Sequence, residues 1–287
     1  MTQRLRISAI RFLNPAPLMW DFEHPPEMEK LAERYQIHSA MPSQCAAELA
    51  QGTADIGLIP IAAYATTAGL AILRGCTIAS LDRVRSIILV VKHPGGIGAV
   101  RRVAADTDSR TSNAYAQIIF RKFHHTDPEF LPFDPNLDAM LESCDAAILI
   151  GDPALLALED RDARLARTGE RLEYLDLGHV WKQHTGVPWV SAVWAVRPQA
   201  MDATKLTAQQ VTEDFLRSRD HGMAHIEDLV REWAPRIAVP AATIRSYLSN
   251  HIHYVLDEAC LAGMDLFFRY AAETSVLPQA PPLRWLQ

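Results

Sequence analysis

No stretch of this 287-residue chain approaches the roughly 20 apolar residues that a membrane-spanning helix needs. A secretory leader needs a charged start followed by an unbroken apolar run, and Arg4, Arg6 and Arg11 interrupt the opening segment. The expectation is a cytoplasmic protein without membrane contact. Basic runs are also missing: 28 Lys and Arg stand against 34 Asp and Glu, a net charge of −6, so no nucleic-acid footprint exists. Cysteine is scarce. Cys45, Cys76, Cys144 and Cys260 form no C-x-x-C pair or Cys/His group at metal-ligand spacing and sit among apolar neighbours, which predicts buried free thiols in a reducing compartment and no metal. Gly95-Gly96-Ile97-Gly98 lacks the spacing of a dinucleotide loop, and no Walker loop, nucleophile elbow or H-E-x-x-H helix is present.

What remains is an ordinary globular composition, 49% hydrophobic and 22% charged, long enough for one large domain or two of common size. The most informative segment is near the start. The stretch Arg6 to Leu18 reads as a strand that breaks into a loop presenting Asn14, where Pro15 and Pro17 forbid its continuation and suit a first helical turn. Open α/β sheets bind ligands where strands deliver polar groups at their carboxyl ends. Asn14 is therefore a candidate ligand contact, with a cap on the following turn as the alternative.

The alternation continues with a strand at Tyr35 to Ala40 and a helix from Pro42 to Gln51 stopped by Gly52. A buried strand over 54–59, cut by Pro60, leads into a helix from Ile61. Strand, helix and strand joined by short links predict a mostly parallel sheet covered on both faces. Leu70 to Ser80 and Ser86 to Val91 read as further strands, and the punctuation at 92–98 marks an expected crossing into a second unit. That unit runs through a strand at 103–105, a polar loop at 106–112, a helix over 113–123, a strand near Phe130, a helix over 136–143 and the buried strand Ala146 to Ile150. The apolar run Val190 to Val196 carries the chain back. Helical segments follow at 205–221, 223–233, 240–250 and 255–274, the last with a core-facing stripe from Leu256 to Ala271. The expected division is one lobe from 1–93 plus 195–287 and another over 94–194, a hinged clamp around a cleft.

Polar turns recur at the ends of the buried strands: Asn14, Ser86, the run Ser109-Arg110-Thr111-Ser112, and Gly151-Asp152. Ser109 to Ser112 offers hydroxyls and backbone N–H groups at a helix start, a combination that attracts a carboxylate or phosphate. Plain capping by Thr111 or Ser112 is compatible with it. The pairs His124-His125 and His251/His253 fall at helix ends, where histidine complements the helix dipole, and His179 and His184 flank Trp181.

Together these stretches resemble the chorismate dehydratase family of the futalosine route to menaquinone. The resemblance rests on Phe12-Leu13-Asn14-x-x-Pro17-Leu18, Asp55-Ile56-Gly57-Leu58-Ile59-Pro60-x-x-x-Tyr64, Ser86 on its strand, Asp108-Ser109-Arg110-Thr111-Ser112, Ile150-Gly151-Asp152-x-Ala154-Leu155, and Asp176-Leu177-Gly178-x-x-Trp181-x-x-x-Thr185-Gly186-x-Pro188, six blocks in order through about Arg197. Trp189 stands where the family commonly has Phe.

The resemblance implies an α/β, two-lobed periplasmic-binding-protein-like fold of type II with a helical C-terminal segment. It implies a lyase that removes water from chorismate to give 3-[(1-carboxyvinyl)oxy]benzoate without metal or redox cofactor, acting as a monomer or homodimer. It points to Asn14 and Ser86 as the catalytic pair. Ser109, Thr111, Ser112, Gly151, Asp152, Pro60 and Trp189 are then expected around the substrate. Two alternatives remain. The sister enzyme of the pathway, which releases dihydroxynaphthoate, typically carries a histidine base where this chain has Ile150-Gly151-Asp152, and a non-catalytic carboxylate-binding protein would share the fold.

Overall fold

A computed structural model describes residues 4–92, 94–107 and 109–287. Ten strands are named in chain order: β1 Leu5–Ile10, β2 Tyr35–Ala40, β3 Ile56–Pro60, β4 Ala71–Ser80, β5 Ile87–Val91, β6 Arg102–Asp106, β7 Glu129–Phe133, β8 Ala146–Ile150, β9 Glu173–Asp176 and β10 Trp189–Val196. They form two five-stranded sheets, ordered β2-β1-β3-β10-β4 and β7-β6-β8-β5-β9.

The two sheets share one plan. In each, three strands run parallel at one side, and the first strand after a passage between sheets inserts antiparallel: β10 between β3 and β4, β5 between β8 and β9. No sequence repeat announces this, because the plan is set by pairing rather than by side-chain identity. The passages lie at 81–86 and 177–188, so β5 belongs to the second sheet and the expected crossing at 92–98 falls inside it. His93, in that expected crossing, lies outside the described residues. The reason is local ambiguity: β4 and β5 are both near-continuous apolar strands, buried on both faces, and such runs name no partner. Likewise β10 begins at Trp189, before the expected return at 195.

Local signals explain most helices. Pro42–Gln51 has Pro at its first turn and ends on Gly52 at φ +77°, a left-handed stop that only glycine adopts without strain. Asn136, Asp176, Thr207 and Asp257 each cap a helix through a side-chain oxygen. Gly222 is different. It lies inside the helix Ala208–Ala224 rather than separating two helices, because a Cβ there would meet the Pro17 carbonyl at 2.0 Å. That helix thereby lies close against the turn Ala16–Met19 that follows Asn14.

The helical tail belongs chiefly to the first lobe. Asp214, buried on Ala208–Ala224, accepts from Tyr35 and Arg34 of that lobe, and Asp21 pairs with Arg217. The last helix, Glu258–Glu273, packs on β10 and also on the second-lobe helix Arg110–Ile118. All four cysteines are free and buried. No helix among the described residues is long and apolar enough to cross a membrane.

Candidate functional site

The carboxyl ends of β1, β3 and β8 and the amino end of β5 converge between the sheets on a cavity of about 480 Å³, counting its open mouth. That size falls within the range of small-ligand sites. Asn14, Pro60, Ser86, Ser109, Thr111, Ser112 and Gly151 all line it. Seven of the nine residues expected around a substrate thus meet in one cleft, brought from five separate stretches of chain. Asp108 of the quoted 108–112 block lies outside the described residues.

Asn14 does not cap the next turn. The short helix Ala16–Met19 starts after Pro15 with no side-chain cap, and Asn14 Oδ1 is buried with no hydrogen-bond partner. A buried acceptor left unpaired is costly unless a ligand supplies a donor.

Ser86 immediately precedes β5, its carbonyl accepting from Gly151 N–H at 2.8 Å. The linker before it is fixed by Asp176, whose carboxylate accepts from Val84 N–H at 3.2 Å and Arg85 N–H at 2.7 Å while also capping the helix Leu177–Thr185 through His179 N–H. Arg85 takes φ +59° in this turn. Behind Ser86 stands the buried Tyr247 of the helical tail. Burial pushes the Tyr247 phenol well above its usual pKa, opposed by its hydrogen bond with Ser86, so it stays protonated. The two hydroxyls share one hydrogen bond; when the phenol donates it, the Ser86 proton is left for the cavity.

The helix expected at 113–123 starts earlier, at Arg110, and ends in a π turn over Ile119–Phe123. Ser109 occupies the N-cap position, but its side chain caps nothing, and Ser109 Oγ is buried without a partner. Thr111 and Ser112 are therefore not caps. They lie in a first turn whose N–H groups and positive dipole end open on the cleft. Arg110 also lines the cavity, and among the described residues it is the cation there. It was within the quoted motif yet not among the expected contacts, since a charged residue between two hydroxyls reads equally as a solvated surface group.

Two expected contacts do not reach the cavity. Trp189 is fully buried, its ring stacked on Tyr115 at 3.7 Å, and its Nε1 donates to Ser191 Oγ at 2.8 Å. Ser191, not Trp189, presents a polar group to the cleft. The large indole gains more by burial beside Tyr115 than at a wet wall. Asp152 is the second. Gly151-Asp152 opens the helix Gly151–Glu159 rather than forming a turn, and Asp152 Oδ1 accepts from Leu13 N–H at 3.2 Å. Burial raises the Asp152 pKa, with the Leu13 hydrogen bond opposing.

Among the described residues one group has the makings of a metal site: His253, Asp257 and Cys260 place ligand atoms within 4.8 Å of one another. It lies outside the cavity, and its parts are already engaged, Asp257 capping the last helix at Cys260 N–H and accepting from His253 Nε2 at 2.8 Å. Burial pushes the Cys260 thiol up to about 12, which opposes the thiolate a metal requires.

The cleft therefore offers a hydroxyl donor at Ser86, an unpaired amide oxygen at Asn14, an anion-binding helix start with Arg110, and apolar walls that include Phe12, Pro60 and Ile78. Among the described residues no Asp, Glu or His lines it. Such a set can take a small molecule with an anionic group and further hydrogen-bonding groups.

A protein-family model described as menaquinone biosynthesis matches residues 5–273. Chorismate dehydratase of Thermus thermophilus is 29% identical over 258 residues, covering 87% of this chain and 90% of that protein. Among solved structures, a protein of Archaeoglobus fulgidus superposes with a TM-score of 0.68 at 18% identity, covering 96% of this chain and 98% of its own. The alkanesulfonate-binding protein of Xanthomonas axonopodis, bound to MOPS, gives 0.65 at 17% identity over 98% of both chains. The periplasmic aliphatic sulphonate binding protein of Escherichia coli gives 0.62 at 18% identity over 100% of this chain and 94% of its own. These likenesses establish a two-lobed, periplasmic-binding-protein-like fold.

Proposed function

Because this chain belongs to the menaquinone biosynthesis family, we propose that it acts as a chorismate dehydratase, a lyase converting chorismate to 3-[(1-carboxyvinyl)oxy]benzoate and water. The relative from Thermus thermophilus carries that name. The observation that carries the reading is the pairing of an unsatisfied Asn14 oxygen with a Ser86 donor in a cleft ending on a bare helix start.

The reaction removes the proton from the ring carbon bearing the enolpyruvyl ether and expels the hydroxyl of the adjacent carbon, which leaves an aromatic ring. As the C–H bond breaks, charge spreads through the diene into the ring carboxylate. Donors fixed where that charge develops stabilise the transition state more than the substrate. In this reading Thr111, Ser112 and the N–H groups of the first turn hold the ring carboxylate, with Ser109 Oγ beside them. Arg110 faces the second carboxylate. Asn14 and Ser86 hold the reacting hydroxyl, Asn14 Oδ1 accepting its proton in a hydrogen bond and Ser86 donating to its oxygen as it departs.

Neither an amide nor an unactivated hydroxyl is a base near neutral pH, and among the described residues none that lines the cavity carries a carboxylate or imidazole. The proton acceptor that fits is the substrate's own enolpyruvyl carboxylate, folded over the ring. Atoms balance, since the abstracted proton and the expelled hydroxide leave together as water. The test is incubation of the purified protein with chorismate and detection of the aromatic product by mass. Binding without loss of water would overturn the reading in favour of a carboxylate-binding protein.

A further inference from the structure

Asp152 is a partly buried carboxylate that the proposed chemistry does not use, and it touches the loop that carries Asn14. Its Oδ1 accepts from the main-chain N–H of Leu13, the residue before Asn14. Next to it, the Phe12 ring lies against Gly151, where a Cβ would come within 2.9 Å of Phe12 Cδ2. Gly151 has φ +60°, so both its backbone and the space above it require glycine. The start of the second-lobe helix Gly151–Glu159 thus grips two successive residues of the first-lobe loop.

The loop is held from its own side as well. Arg11 N–H donates to the Ala40 carbonyl at 3.1 Å, and the Leu13 carbonyl accepts from Ala16 N–H at 3.1 Å. The carbonyl of the Leu13–Asn14 peptide is thus engaged within the loop, and the N–H of the Phe12–Leu13 peptide before it goes to Asp152. With that bond in place the Asn14 side chain projects into the cleft with Oδ1 buried and unpaired. Keeping a carboxylate among apolar groups works against its ionisation, so its presence calls for a geometric return.

We propose that Asp152 is a positioning residue for Asn14: a second-lobe acceptor that fixes the Leu13 peptide and so sets the catalytic amide only while the two lobes are together. The inference rests on Asn14 acting in the cleft as proposed above. It differs from a direct substrate contact and from a general base, and the three roles separate experimentally. An asparagine at this position keeps an oxygen for the Leu13 N–H but removes any basicity, whereas alanine removes both.

The experiment uses the full chain as wild type, Asp152→Asn and Asp152→Ala, each also with Asn14→Ala. Amide hydrogen exchange of the segment 11–16, read by mass spectrometry without substrate, should quicken at least about tenfold in Asp152→Ala and stay near wild type in Asp152→Asn. Chorismate turnover should show kcat reduced about 10- to 100-fold in Asp152→Ala, with KM within about threefold, and rescued by Asp152→Asn. In the Asn14→Ala background, Asp152→Ala should cost no more than about a further twofold. Three results overturn the proposal: Asp152→Asn as slow as Asp152→Ala, which marks a base; a change in KM alone, which marks a substrate contact; or unchanged exchange in Asp152→Ala. If Asp152→Ala does not fold, Asp152→Ser replaces it under the same criteria, since its hydroxyl suits a helix start but stops short of Leu13. A wild type that leaves chorismate unchanged defeats the functional reading instead, and the exchange result then still decides whether Asp152 holds the loop.

Discussion

The N–H of Ala62 donates to Thr111 Oγ1 at 3.2 Å, joining the first turn after β3 in one lobe to the first turn of Arg110–Ile118 in the other. Both residues are buried. Replacing Thr111 by Val keeps its shape and strands the Ala62 N–H, so a loss of about 1–3 kcal/mol in urea unfolding is expected. Thr111→Ser retains the oxygen and should lose less than half as much. Equal losses in the two variants would show that the methyl group, not the hydrogen bond, matters at this contact.

Asn14→Ala and Ser86→Ala should each leave a folded protein with strongly reduced turnover of chorismate, by about 10²–10³-fold for Asn14, the usual cost of one preorganised polar group. The absorbance of the benzoate product follows the reaction. Near-wild-type rates in both variants would remove them from the chemistry.

Tyr247→Phe deletes one buried hydroxyl and its hydrogen bond with Ser86. A several-fold fall in kcat, about 3- to 30-fold, is expected with little change in KM. In the Ser86→Ala background the same change should do almost nothing, because the residue it orients is gone.

Arg110→Gln should raise KM for chorismate by about tenfold or more while leaving kcat within a few-fold, the pattern of uniform binding lost. The salt dependence of KM should weaken with it, since the exposed guanidinium attracts a dianion through solvent. An unchanged KM would return Arg110 to the surface.

Asp55, at the head of β3, accepts from Arg6 N–H at 2.9 Å and pairs with the Arg6 guanidinium at 2.6 Å. Burial works against its ionisation, but the Arg6 hydrogen bonds and charge prevail and hold the carboxyl below its usual range. The stabilisation is therefore present above the unfolded carboxylate value of about 3.9 and is lost as pH falls through the lower folded value. Urea midpoints should drop between about pH 4 and pH 2 more steeply in wild type than in Asp55→Asn. At pH 7 Asp55→Asn should be less stable by about 1–3 kcal/mol, a figure kept modest because Arg6 is partly in water.

Much of the secondary structure is written locally. The bounds of β2, β8 and the helix Pro42–Gln51 follow from strand alternation, a continuous apolar run, and the Pro and Gly at a helix's ends. The turns bearing Asn14, Ser86 and Ser109 to Ser112 are legible for the same reason, as polar groups placed where apolar runs stop. Asp176 carried a motif but not its reason, which is to pin the linker before Ser86 from 91 residues away.

The rest depends on which surfaces meet. Sequence alone determined a covered α/β protein with a set of polar strand ends and no metal or nucleotide motif. Tertiary structure decided that β5 joins the second sheet, that Gly222 lies against Pro17 inside a helix, that Trp189 turns into the core, and that Asp152 serves the Asn14 loop. The physical reason is one of range. Capping, turn formation and apolar periodicity act within a few residues, whereas strand partners, close backbone approaches and the partner of a buried carboxylate are fixed only when distant segments pack.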